Sequence, residues 1–234
     1  QDFAFDQEVK GASILDVNMG LSGIDEKEMM LKSVKLLSRV SSLPLCIDTT
    51  NPEIVEAALR IYPGRAIVNS VSGERERIEK TLPAAAKYGA MIILLPLNDK
   101  GIPETLDERK NIIEEIMSKG DNYGYVPADY VVDGLVMTVS SDPFAAEKTL
   151  DMVEWCSRDL GINTVCGLSN VSFGLPAREW INATFLSMAI SRGLTCAIAN
   201  PGSELLMNTV FSCNALSGRD KNLNNYVSRF SEMK

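Results

Sequence analysis

The chain has 234 residues, 45% hydrophobic and 23% charged, enough to bury one large α/β core without a second domain. A formal net charge of −8 argues against a nucleic-acid or anionic-membrane partner, since an acidic face repels both. Histidine is absent, which excludes Ser-His-Asp and Cys-His hydrolase schemes, imidazole bases and nearly all zinc or iron sites; carboxylate, amide and backbone chemistry remain.

Residues 2–10 read as the end of a helix. A short apolar run then gives a strand over 12–18 that contains Asp16 and ends on Asn18, and Asp25, three residues before Glu28, opens an amphipathic helix over 26–39 in a capping-box-like pattern. The next strand, 44–48, ends in Asp48, and Thr50-Asn51-Pro52 supplies a cap and a first-turn proline for a helix over 52–61. A strand over 65–70 carries Asn69 near its end and leads to a helix over 73–88. Gly89 follows as a left-handed C-cap. Strand 90–97 and helix 105–118 come next, then strand 129–134, where Asp133 is followed by Gly134. Asp142-Pro143 repeats the cap-and-proline device for a helix over 143–160, closed by Gly161. Strand 163–169 runs into Asn170, helix 178–192 ends at Gly193, and strand 195–200 precedes a helix over 203–216. Residues 217–234 read as a C-terminal extension of a single domain that spans 1–234, with room for one more helix or a solvated tail.

A βα repeat of about 30 residues implies a parallel sheet. Seven units are visible, whereas a (β/α)8 barrel closes with eight strands, so the first strand is expected to lie before Gln1. The alternative is an open, doubly wound sheet of seven strands. No GxGxxG or P-loop follows any strand, which disfavours dinucleotide and nucleotide binding of those types. The five cysteines (Cys46, Cys156, Cys166, Cys196, Cys213) are odd in number and lack CxxC spacing, as reduced core thiols in a cytoplasmic protein would. No signal peptide or membrane-spanning run is visible.

In either parallel architecture, polar residues at equivalent strand ends meet at one mouth, where ligands bind. A carboxylate at Asp133 can pair with an N–H/NH2 edge of an aminopyrimidinone-like ring through two charge-assisted bonds, and Asp48 and Asn69 can add to the same ring. Each taken singly also reads as a helix cap or turn residue. Oxygen ligands of this kind suit magnesium or calcium too; the abundance of asparagine and the missing phosphate loop argue for no metal site. The most specific stretch is GLSNVSFGLP at 167–176, an amide flanked by hydroxyls, then an aromatic and a Gly-Leu-Pro exit.

GLSNVSFGLP, together with GASILDVNMG at 11–20, CIDTT at 46–50, IVNS at 67–70, VVDGL at 131–135 and AIANP at 197–201, resembles the pterin-binding methyltransferases. These include the methyltetrahydrofolate:corrinoid protein methyltransferases and the folate-binding domain of cobalamin-dependent methionine synthase. The resemblance covers essentially the whole chain. It implies a (β/α)8 barrel whose substrate, 5-methyltetrahydrofolate, gives its methyl group to the Co(I) centre of a corrinoid carried by a partner protein or cobalamin domain. Carried over by motif, Asn170 would hydrogen-bond N5 of the pterin, and Asp48, Asn69 and Asp133 would hold the ring. Asp16 and Asn18 would stand at the mouth, with Ser169, Phe173 and Ile198 lining the ligand. Phe173 departs from members that carry a polar residue there. Freestanding members resemble homodimers, and a folate-binding module of a larger methionine synthase without its own turnover is the alternative. Dihydropteroate synthase, a further relative, uses a lysine and an Arg-x-His motif where this chain has Asn170 and Ala199-Asn200-Pro201. A magnesium-dependent lyase on the same barrel is the reading farthest from these motifs.

Overall fold

When both faces of a strand are covered, alternation alone cannot say which face looks inward. In a computed structural model, which describes residues 2–231, the two faces sort into separate apolar clusters. Seven parallel strands pair in chain order: β1 (Leu15–Asn18), β2 (Leu45–Asp48), β3 (Ile67–Ser72), β4 (Met91–Leu95), β5 (Tyr130–Asp133), β6 (Asn163–Gly167) and β7 (Cys196–Ile198). The order never reverses, which removes the doubly wound alternative, since that topology requires a switch point.

One set of side chains, among them Leu15, Val17, Ile47, Val68, Ile92 and Val132, faces outward into the helical layer. The other set, Cys46, Ile93, Val131 and Val165, packs with Ile14, Ile67, Met91, Cys196 and Ile198. In a flat sheet β2 and β7 would stand roughly 24 Å apart, five strand spacings. Their joining in one cluster means the sheet is rolled into a barrel and this second set fills its interior. Each large aliphatic residue so buried gains roughly 1.5–3 kcal/mol on leaving water. β1 and β7 each pair on one side within the described residues, and the strand expected before Gln1 lies outside them.

Outside the sheet run α1 (Asp2–Val9), α2 (Glu26–Val40), α3 (Pro52–Ile61), α4 (Leu82–Lys87), α5 (Leu106–Asp121), α6 (Ala145–Trp155), α7 (Arg178–Arg192), α8 (Glu204–Leu216) and α9 (Asn224–Phe230). The caps form where the sequence puts them for α2 and α3: Asp25 accepts from the Glu28 amide (3.0 Å) and Asn51 from the Glu53 amide (2.9 Å). Asp142 behaves differently. Its side chain accepts from the Phe144 amide (2.9 Å) in a turn, and α6 starts only at Ala145. The helix expected over 73–88 is helical from residue 75 and widens to a π-type turn at Arg77–Thr81, which ends two residues before Pro83, a residue with no amide to donate. The helix expected to 160 also widens, at Cys156–Leu160, and closes on left-handed Gly161. All five cysteines are free. Among the described residues no helix is long and apolar enough to cross a membrane. In the C-terminal extension Asp220 accepts from the Tyr226 amide (2.8 Å) at the start of α9, and residues 232–234 lie outside the described chain.

Candidate active site

Strand parity decides what the mouth contains. Asp16 and Asn18 share the inward parity of Ile14, Asp48 that of Cys46, Asn69 that of Ile67, and Asp133 that of Val131; each lies further toward the C-terminal end of its own strand than that apolar residue. Asn18, Asp48 and Asn69 are register partners across β1, β2 and β3, so they form one row. Ser70 is an extra residue in β3 just beyond that row, a bulge of the kind found beside active sites.

The row is internally wired. The Asn18 side chain accepts from the Gly20 amide (2.9 Å), which turns its NH2 toward Asp48, to which it donates at 2.8 Å. Burial raises the Asp48 carboxyl, the Asn18 donor opposes that, and the neighbouring charges of Asp16 and Glu26 add to the rise. Glu26 is itself held by the Thr49 hydroxyl. Asp16 lies one pleat deeper, level with Cys46, whose thiol burial and that carboxylate push well up.

Asp133 carries the clearest perturbation. Burial lifts its carboxyl to about 6, and only the Leu135 amide, donating to it at 2.8 Å, works in the other direction. The chain turns sharply after it, with Leu135 at φ +54°. Gly134 is required by proximity: a Cβ there would lie 2.9 Å from Thr149 Cγ2 and 3.1 Å from Cys166 Sγ.

Asn170 sits on a short 3-10 turn, Leu168–Ser172, that begins directly at the end of β6; the strand expected to run to 169 stops at Gly167. Its amide nitrogen lies 3.4 Å from where a Gly167 Cβ would stand, so the amide covers the inward position of β6 that glycine leaves open. Ser169 and Asn170 are exposed, and Phe173, 67% exposed, lies beneath the Arg178 guanidinium at 6.0 Å. Ile198 closes β7 as part of the apolar interior, a wall rather than a polar contact.

Three residues at this site escape a reading of the strand ends: Ser172, Arg178 and Asn182. Arg178 donates to the Ser169 carbonyl (2.6 Å) and to Ser172 Oγ (3.0 Å), and Ser172 Oγ donates to Asn182 Oδ1 (2.7 Å). A signal for Arg178 exists: it is the first residue of α7, where a cation opposes the helix dipole and therefore serves something else. A groove of about 280 Å³ lies elsewhere, on the outer wall between α6 and α7, lined by Ala146, Trp180, Ile181, Phe185 and Met188. Its lining carries no ionisable group, unlike the mouth. Among the described residues no three His, Cys, Asp or Glu side chains are grouped to hold a metal ion.

A parallel barrel whose mouth offers carboxylates and amides above an apolar floor has the form of an enzyme that binds its ligand at the C-terminal strand ends. The chain belongs to the pterin binding enzyme family, whose model matches residues 2–200. It is 29% identical to the methylcorrinoid:tetrahydrofolate methyltransferase of Eubacterium limosum over 241 residues, covering 100% of this chain and 88% of that protein. It is also 29% identical over 222 residues to the methionine synthase of Mycobacterium tuberculosis, covering 89% of this chain but 19% of that protein. In fold it is similar to dihydropteroate synthase from Vibrio fischeri (TM-score 0.75, 14% identity, 93% of this chain and 87% of that one). It is also similar in fold to the dihydropteroate synthase from Stenotrophomonas maltophilia (TM-score 0.71, 17% identity, 94% of this chain and 87% of that one).

Proposed function

We propose that this protein moves a methyl group between N5 of a reduced folate and the cobalt of a corrinoid held by a partner protein or domain. The observation that carries the reading is the placement of Asn170 over the bare Gly167 position, at the same mouth as Asp48, Asn69 and Asp133. The kinship with a methylcorrinoid:tetrahydrofolate methyltransferase and with methionine synthases supports the choice of both substrates.

In this reading the Asp133 carboxylate accepts from the ring's N–H and NH2 groups, while Asn69 and the Asn18–Asp48 pair fix its remaining polar edge. The corrinoid, presented from above, supplies a centre able to accept or return the methyl group. When the methyl leaves, the C–N5 electron pair stays on nitrogen and a proton is taken up there. The Asn170 amide can accept from a protonated N5 or donate to its lone pair, so its hydrogen bond strengthens as charge changes at that atom. Alignment of N5 beneath the open mouth supplies the rest. The direction we assign is from 5-methyltetrahydrofolate to Co(I), and the same contacts serve the reverse transfer.

Single-turnover methylation of cob(I)alamin by 5-methyltetrahydrofolate tests the assignment. Asn170→Ala should slow the step on the order of 10² or more while changing folate affinity less. An unchanged rate removes Asn170 from the chemistry. A wild-type chain that binds folate but never methylates favours the second reading, a folate-presenting module of a larger protein; the chain spans only 19% of the Mycobacterium tuberculosis methionine synthase.

A further inference from the structure

A 3-10 turn of five residues is held by backbone hydrogen bonds of poorer geometry than an α-helix has. The turn that carries Asn170 is also tied down from two sides. On the side of α7, Ser172 is the hub: fully buried, its hydroxyl donates to Asn182 Oδ1 (2.7 Å) and accepts from Arg178 Nε (3.0 Å). Arg178 also donates from Nη2 to the Ser169 carbonyl (2.6 Å), the residue just before Asn170. On the opposite side, the loop that leaves Asp133 holds the far end of the turn. There Thr138 Oγ1 (2.7 Å) and Ser140 Oγ (3.0 Å) donate to the Phe173 carbonyl, and the Val139 amide donates to the Val171 carbonyl (3.0 Å). None of these bonds uses the Asn170 side chain, which stays available at the mouth.

We propose that Ser172, Asn182 and Arg178 are positioning residues for methyl transfer: together they set the Asn170 amide relative to the ring gripped by Asp133. This inference rests on the function proposed above and deepens it. Asn182 and Arg178 stand on α7, a helix of 15 residues, so the turn is referenced to a rigid element and not to a loop. The loop after Asp133 braces the same turn, so the group that grips the ring and the group that faces N5 share one frame. A hydrogen bond worth its strength only in the transition state is lost when its carrier shifts by about an ångström, a displacement that can cost on the order of 10²-fold.

The test uses the same single-turnover assay, with cob(I)alamin as acceptor, on Asn182→Ala, Asn182→Asp and Asn170→Ala and on the Asn170→Ala/Asn182→Ala double variant. Asn182 is only partly buried and lies near the start of α7, so its truncation leaves the fold intact, which a thermal melt verifies. Asn182→Ala should lower the rate on the order of 10- to 100-fold with folate affinity held within about twofold, and should lower it no further in the Asn170→Ala background. Asn182→Asp keeps the oxygen that accepts from Ser172 and should recover most of the rate. A wild-type rate for Asn182→Ala beside a slow Asn170→Ala overturns the positioning role and leaves the proposed function standing. Equal losses from Asn182→Ala in both backgrounds also overturn it, because the effect then does not pass through Asn170. A wild-type rate for Asn170→Ala overturns the two together.

Discussion

Asp133 is a carboxyl group in a place that does not favour its charge, and that conflict is measurable. Its folded value of about 6 lies above the ordinary value for a solvated aspartate, so between about pH 4 and 6 the folded state binds more protons than the unfolded one. Stability therefore falls as pH rises through that window, and the penalty persists in full above it. Asp133→Asn keeps an oxygen for the Leu135 amide and removes the buried charge. The unliganded variant should be more stable than wild type by about 1–3 kcal/mol at pH 7.5, with the difference gone near pH 4, as read by thermal unfolding across pH. The same residue is proposed to bind the ring as a carboxylate, so wild-type affinity for 5-methyltetrahydrofolate should fall below about pH 6, approaching tenfold per pH unit in a calorimetric titration. An affinity flat from pH 7.5 to 5 would take Asp133 out of the grip. Stability surrendered for binding in this way is common at functional sites.

At the scale of elements, α6 packs closely over the end of β5 because Gly134 has no side chain. Gly134→Ala places a methyl group 2.9 Å from Thr149 Cγ2 and should cost about 1–3 kcal/mol of stability in chemical denaturation; Thr149→Ser, which removes the opposing methyl group, should recover part of it. The strand-end row was legible in the sequence because successive apolar runs end on a polar residue, whereas the face those residues take emerged only from the packing, both faces being apolar. The boundary at Gly167 was not legible, since Cys166-Gly167-Leu168 reads as uninterrupted apolar strand while the backbone has already entered a turn. Asp142-Pro143 misled for a related reason. An aspartate that bonds the amide two residues on makes a turn whether or not a helix begins at once. The hold on Asn170 from α7 was invisible because it joins a hydroxyl, a guanidinium and an amide across a chain reversal, with no periodicity to mark it.

At the scale of the whole molecule, the formal charge of −8 opposes a ligand that carries carboxylates of its own on its glutamate tail. Salt screens that repulsion. The association rate of 5-methyltetrahydrofolate in stopped flow should therefore rise roughly two- to threefold between about 0.01 and 0.15 M ionic strength, the opposite of a steered encounter. The interior packing of Cys46, Ile93, Val131 and Val165 has a consequence for traffic. A barrel with a solid floor has one doorway, and two substrates that react there must queue. On the function proposed above the folate would lie deeper and so enter first and depart last, with the corrinoid-bearing partner arriving second and stepping away before the spent folate can leave. Steady-state turnover should then be compulsory-ordered, with a surplus of partner slowing the enzyme by standing in its own exit.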